Sequence, residues 1–127
     1  AIGMFVDTWA WVEIFQDTVI GRKTADLIEG KTLVISALTI AEIAAWCSKT
    51  NREVAIYLNS LRENCMIISV TDEDAQLAGV SLNNLRQKVP GIGMIDVIIY
   101  NQAISLGLPL LTGDPHFRKL EGVTFLG

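Results

Sequence analysis

Short apolar runs alternate along the chain with longer segments of helical periodicity, and this alternation limits the fold more than any other feature. Met4–Val6, Thr32–Ile35, Met66–Val70, Pro109–Thr112 and Val123–Leu126 read as strands without an alternating polar face. A strand that is apolar on both faces must be covered on both, so the pattern predicts a parallel sheet with helices packed on each side. Between the strands, helices are expected from Thr8 to Phe15, Thr18 to Glu29 (closed by Gly30), Thr39 to Lys49, Asn51 to Asn64 and Met94 to Leu106. Val54, Tyr57, Leu58, Leu61 and Cys65 share one face at three- and four-residue spacing. Thr71 reads as the N-cap of a further helix, whose apolar stripe is Ala75, Ala78, Leu82, Leu85 and Val89. Pro90-Gly91-Ile92-Gly93 breaks the chain after it. In sheets of this kind, sites form beyond the carboxyl ends of the strands, where strand order reverses.

A chain of 127 residues, half of them apolar, suits one domain spanning residues 1–127. Neither a repeat nor a linker divides it. Ala1-Ile2-Gly3 ahead of Met4 has the look of an expression scar. No apolar run approaches the roughly 18 residues that span a bilayer, and the N-terminus does not read as a secretory signal. The two cysteines, Cys47 and Cys65, border apolar runs and read as buried thiols rather than a disulfide framework. A cytoplasmic location is the expectation that follows.

The carboxylates carry the chemistry. Asp7 is the only charge from Ala1 to Val12, and Glu42 the only one between Lys31 and Lys49. Asp96 and Asp114 are the only charges between Lys88 and Arg118, with His116 counted as neutral. Each has an ordinary structural reading. Asp7 suits a turn or cap, Thr39 to Glu42 a capping box, Asp96 the first turn of a helix, and Asp114 an N-cap before Pro115. Together they ask for more, because carboxylates set in apolar segments are costly unless protons, partners or metal neutralise them. Asp7 and Asp114 follow the first and fourth strands, Glu42 lies a turn into the segment after the second, and Asp96 opens the helix leading to the fourth. A parallel fold would gather them at one rim. Oxygen ligands without a cysteine or histidine partner suit Mg2+ or Mn2+ rather than Zn2+, and such a site suits phosphodiester hydrolysis.

The net charge of −4 is awkward for a nucleic-acid binder. Setting the four acids aside leaves ten of fourteen, against ten Lys plus Arg, so the remaining surface is neutral. A divalent cation would then turn the acidic centre into an attractor of phosphate.

Four blocks, taken in order, resemble those of PIN domains. They are Phe5-Val6-Asp7-Thr8-Trp9-Ala10-Trp11, Ser36-Ala37-Leu38-Thr39-Ile40-Ala41-Glu42-Ile43, Met94-Ile95-Asp96-Val97-Ile98-Ile99 and Leu110-Leu111-Thr112-Gly113-Asp114-Pro115-His116-Phe117. Within the family, the chain is most similar to the VapC-type toxins of prokaryotic toxin–antitoxin pairs. The resemblance implies a three-layer α/β/α sandwich around a five-stranded parallel sheet, and Mg2+- or Mn2+-dependent endoribonuclease activity on RNA. It also implies a homodimer and an inhibiting antitoxin protein. By position, Asp7, Glu42, Asp96 and Asp114 match the family's acidic metal site; Thr112 and Thr8 match supporting hydroxyls. Trp9 departs from the pattern, standing where a smaller residue is common and where it would narrow the entrance.

Other readings compete. An aspartyl-nucleophile phosphatase needs an acid two residues after the nucleophile, and that position is Trp9. A phospho-acceptor receiver wants an acidic neighbour for Asp7 and a lysine after a late strand; Gly113-Asp114 follows instead. The serious alternative is a non-catalytic module on the same fold that binds protein or RNA around a vestigial acidic site. Trp9, Trp11 and Trp46 are expected in core or interface packing. His116, Arg118 and Lys119 suit either a phosphate contact or a solvated face. Arg22-Lys23 reads as a solvated basic spot, and Asp72-Glu73-Asp74 and Asp17 as helix-start acids, of which Asp17 is the one expected nearer the site.

Overall fold

The computed structural model describes residues 3–127, so Ala1 and Ile2 of the supposed scar lie outside the described residues. Five strands, β1 (Gly3–Val6), β2 (Thr32–Ser36), β3 (Cys65–Ile68), β4 (Leu110–Thr112) and β5 (Val123–Phe125), form one sheet in the order β3-β2-β1-β4-β5. Every pairing is parallel. The helices are α1 (Thr8–Phe15), α2 (Val19–Ile28), α3 (Ala37–Lys49), α4 (Val54–Asn64), α5 (Asp72–Lys88) and α6 (Met94–Ser105), with a short 3₁₀ turn at Pro115–Phe117. This is the expected α/β architecture.

The pleat explains the layers. Met4, Val6, Leu33, Ile35 and Leu111 point to one face, where they pack with Ala10, Trp11, Ile43, Cys47, Leu58 and Leu61 of α1, α3 and α4. Phe5, Val34 and Leu110 alternate to the other face and meet Ala78, Val97, Ile99 and Ala103 of α5 and α6. Trp11, Phe15, Trp46 and Tyr57 form a chain of ring contacts at 5.0–6.2 Å on the first face. Trp11 and Trp46 are therefore packing residues, as their size suggested.

Several boundaries differ for local reasons. Helix α3 begins at Ala37 because Ser36, the last residue of β2, caps it by accepting from Leu38 N–H. The capping box expected at Thr39–Glu42 does not form, and that leaves Glu42 free for another partner. Helix α4 starts at Val54, not Asn51, since Asn51 adopts a left-handed φ of 57°. Strand β3 ends at Ile68 and is an edge strand, with Met66 and Ile67 exposed, so the expectation of cover on both faces fails there. On α5 the stripe holds at Ala78, Leu82, Leu85 and Val89, whereas Ala75 faces solvent. Thr71 and Asp74 do form a capping box at its start. Among the described residues no helix is long and apolar enough to cross a membrane.

Helices α1 and α2 cross where Gly21 is buried against the end of α1. A Cβ added there would stand 1.9 Å from the Glu13 carbonyl oxygen, a backbone atom that cannot swing aside. Gly21→Ala is therefore expected to force the helices apart and to cost about 3 kcal/mol or more. Urea unfolding in EDTA checks this; an unchanged midpoint would show that the crossing yields freely.

Candidate metal centre

The sheet order places a switch point between β1 and β4: from β1 the chain winds outward to β2 and β3, then returns to β4 and β5 on the other side. Asp7 leaves the carboxyl end of β1 and Asp114 follows the end of β4, so the two acids flank that point. Helix α3 brings Glu42 from the end of β2. Helix α6 carries Asp96 in its first turn, after Gly93.

Asp7 is the most enclosed of the four, at 4 % exposure. Its backbone N–H donates to the Leu111 carbonyl at 3.0 Å, which continues the β1–β4 ladder past the strand and fixes the residue in place. The buried Thr112 hydroxyl donates to Asp7 Oδ2 at 2.8 Å and accepts from the Asp114 N–H at 3.1 Å. One side chain thus ties both acids to β4. On the other side, the Thr8 hydroxyl donates to Glu42 Oε1 at 2.6 Å. The Thr39 hydroxyl stands 3.0 Å from that of Thr8 and can serve as its donor. Both hydroxyls singled out from the sequence hold a carboxylate. Thr39 is an addition that its apolar context did not signal.

The electrostatics follow from burial and crowding. Loss of water pushes the Asp7 carboxyl up from 3.8 to about 7; the Thr112 bond works against this, and the charges of Glu42 and Asp96 add to it. Glu42 is raised by burial and by Asp96 and Asp114, with the Thr8 bond opposing. Asp96 is raised by burial and then by Asp114, while the Gly93 backbone and His116 pull it down. Asp7 thus feels Glu42 and Asp96, Glu42 feels Asp96 and Asp114, and Asp96 feels Asp114. Among the described residues, no lysine or arginine nitrogen lies within 4.0 Å of these four carboxylates, and His116 Nδ1 stands 3.0 Å from Asp114.

Asp114 does two things. It caps the 3₁₀ turn, accepting from His116 N–H at 2.9 Å, as an Asp before Pro should. The same Oδ1 lies 3.0 Å from His116 Nδ1. Asp96, Asp114 and His116 each offer one ligand atom, and these atoms all lie within 4.8 Å of one another. Asp7 and Glu42 stand outside that tightest group but are coupled to it through their charges. The closeness of His116 to Asp114 was not foreseen; an Asp-Pro-x turn folding its third side chain back on its cap would have been the clue.

Two outlying residues find their places. The Trp9 ring lies so close over Gly113 that a Cβ there would stand 2.3 Å from Cζ3. Trp9 thus packs on the residue before Asp114, where only glycine admits it. Asp17 sits in the turn between α1 and α2 with φ of 55°, paired with Arg22 at 3.3 Å. Among the described residues its contacts do not join it to the four acids, so it is a surface group.

Carboxylates crowded together, the most buried of them lifted to about 7, are what a divalent cation would satisfy. The donor set fits Mg2+ or Mn2+, with a histidine nitrogen at its margin. Thr112→Val would leave Asp7 and the Asp114 N–H without their partner. We expect a loss of about 1–3 kcal/mol at pH 8 in EDTA, where Asp7 is charged and needs its donor most. Wild-type stability in urea unfolding would contradict the role given to this hydroxyl.

Similarity to known proteins agrees with this fold. The PIN domain model matches residues 4–123. No curated protein sequence matches the chain. Among solved structures, Mycobacterium tuberculosis VapC20, described as a sarcin–ricin loop cleaving toxin, superposes with a TM-score of 0.79 at 16 % identity, covering 98 % of this chain and 99 % of that one. The Rickettsia felis VapBC2 structure, bound to a DNA fragment from their promoter, gives 0.75 at 21 % identity, covering 98 % and 97 %. A toxin–antitoxin complex from Klebsiella pneumoniae gives 0.74 at 21 % identity, covering 95 % of each chain. The VapC likeness at these identities is one of fold. The family match spans nearly all the strands, helices and acids described above, and by it the chain belongs to the PIN domain family.

Proposed function

We propose that this chain is a Mg2+- or Mn2+-dependent endoribonuclease, folded as a single domain, with Asp7, Glu42, Asp96 and Asp114 as its metal ligands. The observation that carries the reading is the crowding of four acids at the switch point, where among the described residues no lysine or arginine pairs with any of them within 4.0 Å. PIN domains are typically nucleases, and the oxygen-rich donor set suits the metals that phosphodiester hydrolysis uses. When bound, such a metal lowers the pKa of an attacking water and neutralises charge on the phosphoryl oxygens. Thr112 orients Asp7, Thr8 orients Glu42, and Trp9 packs on the residue before Asp114.

The same reading makes the chain the toxin of a toxin–antitoxin pair acting in the cytoplasm, as a homodimer restrained by a cognate antitoxin. Support comes from the solved neighbours, several of which are toxin–antitoxin complexes. It also comes from Met94 and Ile95, exposed on α6 beside Asp96, an apolar edge suited to a protein partner near the site.

Cleavage is tested by incubating a pool of structured RNAs at neutral pH with Mg2+, with Mn2+ and with EDTA. Fragments that depend on metal are expected. Metal binding without cutting of any RNA in the pool would favour the non-catalytic module instead.

A further inference from the structure

Beside the acids lies a depression of about 280 Å³ formed by Lys88, Val89, Pro90, Pro115, His116, Arg118 and Lys119. Two elements build it: the end of α5 with the loop after it, and the turn that follows Asp114. Both are held. Arg86 Nε donates to the Ile92 carbonyl at 3.0 Å, pinning the loop, and buried Phe117 anchors the turn. The Arg118 guanidinium lies 4.6 Å from the Phe125 ring centre, which fixes one cation in position. Three of the ten lysines and arginines meet here with the only histidine, and no acid lines the wall. In a chain of net charge −4 this is a local reversal of sign directly adjoining Asp114.

We propose that this depression is the subsite for the nucleotide flanking the scissile phosphodiester in a single-stranded stretch of RNA. Its base would lie on the apolar floor of Val89, Pro90 and Pro115, and its phosphate would sit among Lys88, Arg118 and Lys119. The proposal rests on the nuclease reading for where the scissile bond lies. Its physics is independent: an apolar floor with a cationic rim matches a flat base attached to an anion, and the base must be unpaired to reach the floor. The acids repel phosphate in the absence of metal, so this rim is where RNA gains its metal-independent attraction. An acidic peptide would use the rim but leave the floor without a partner.

The test is fluorescence anisotropy of a labelled single-stranded RNA octamer with the full chain in EDTA. Lys88→Gln and Lys119→Gln are each expected to weaken binding about threefold to fivefold. The double variant should lower the slope of log affinity against log salt by about 0.7 for each phosphate no longer neutralised. Lys23→Gln on α2 should bind as the wild type does. Failure of the octamer to bind in EDTA, unchanged affinity in the double variant, or an equal weakening in Lys23→Gln would each overturn the subsite. Cleavage in Mn2+ is scored separately. Binding that behaves as expected without cleavage would sink the nuclease reading and leave the depression as a nucleotide-binding site with no scissile bond beside it, whereas cleavage with unchanged binding in the double variant would sink the subsite alone.

Discussion

Asp7→Asn is expected to lower metal-dependent RNA cleavage at least about a hundredfold while making the metal-free protein more stable at neutral pH. The two effects have one cause. Asp7 is 4 % exposed, and burial lifts its carboxyl to about 7, so at and above that pH the fold must hold a charge it does not solvate. Asparagine is nearly the same size and its Oδ1 can still accept from Thr112, but it carries no charge to desolvate or to repel Glu42 and Asp96. The gap between 3.8 and about 7 sets an upper limit of roughly 4 kcal/mol on the gain above pH 7. Below pH 4 the aspartate is itself neutral and the gain should vanish. Urea unfolding of both proteins in EDTA at pH 8 and pH 4, beside a cleavage assay, measures it. A destabilised variant at pH 8 would mean that Asp7 serves the fold rather than a ligand, and undiminished cleavage would remove it from the site.

The second large effect is a reversal of pH dependence by metal. The folded Asp7 has a raised pKa, so between about 4 and about 7 the folded protein binds a proton that the unfolded chain does not. Its contribution to stability is full below the lower value, falls as pH rises through that window, and is gone above the upper one. Glu42 and Asp96 are raised as well, so they push in the same direction. The metal-free protein should therefore lose stability at this site on going from pH 5 to pH 8. A divalent cation needs the deprotonated acids, so it should bind weakly at pH 5 and firmly at pH 8, with release of protons. Thermal unfolding with and without millimolar Mn2+ should show a stabilisation that is small at pH 5 and grows toward pH 8. A shift of equal size at both pH values would place the ion elsewhere on the surface.

The parts of the fold legible in the sequence are those where burial and capping agree. Met4–Val6 and Leu110–Thr112 are central strands covered on both faces, and uninterrupted apolar runs register that directly. Thr71 caps its helix as read, and Thr18, read as the first helical residue, proves to be the N-cap; each accepts from the amide three residues on. The miss at α3 is instructive. Strand β2 passes straight into the helix at Ser36 without a loop, so nothing in the local pattern marks the junction, and Thr39 looked like the earlier signal. The apolar run in β3 hid an edge strand, since hydrophobicity alone does not say which side of a sheet is left open.

The gathering of the acids was legible because they are isolated in apolar surroundings, a cost that has to be offset by something they meet in space. What escaped were contacts that depend on how turns fold. The approach of His116 to Asp114 needs the 3₁₀ turn, and the packing of Trp9 over Gly113 needs the β4 end to lie beside α1. Thr39 was invisible for a simpler reason: a buried threonine on an apolar helix looks the same in sequence whether or not its hydroxyl has a partner.

The central claim is that the four acids hold a divalent cation. Calorimetric titration of Mn2+ into metal-free protein at pH 7.5, run in two buffers of different ionisation enthalpy, addresses it most directly. Saturable binding with proton release in the wild type, lost or greatly weakened in Asp7→Asn, is the predicted result. Absence of saturable binding, or equal binding in both proteins, would contradict it.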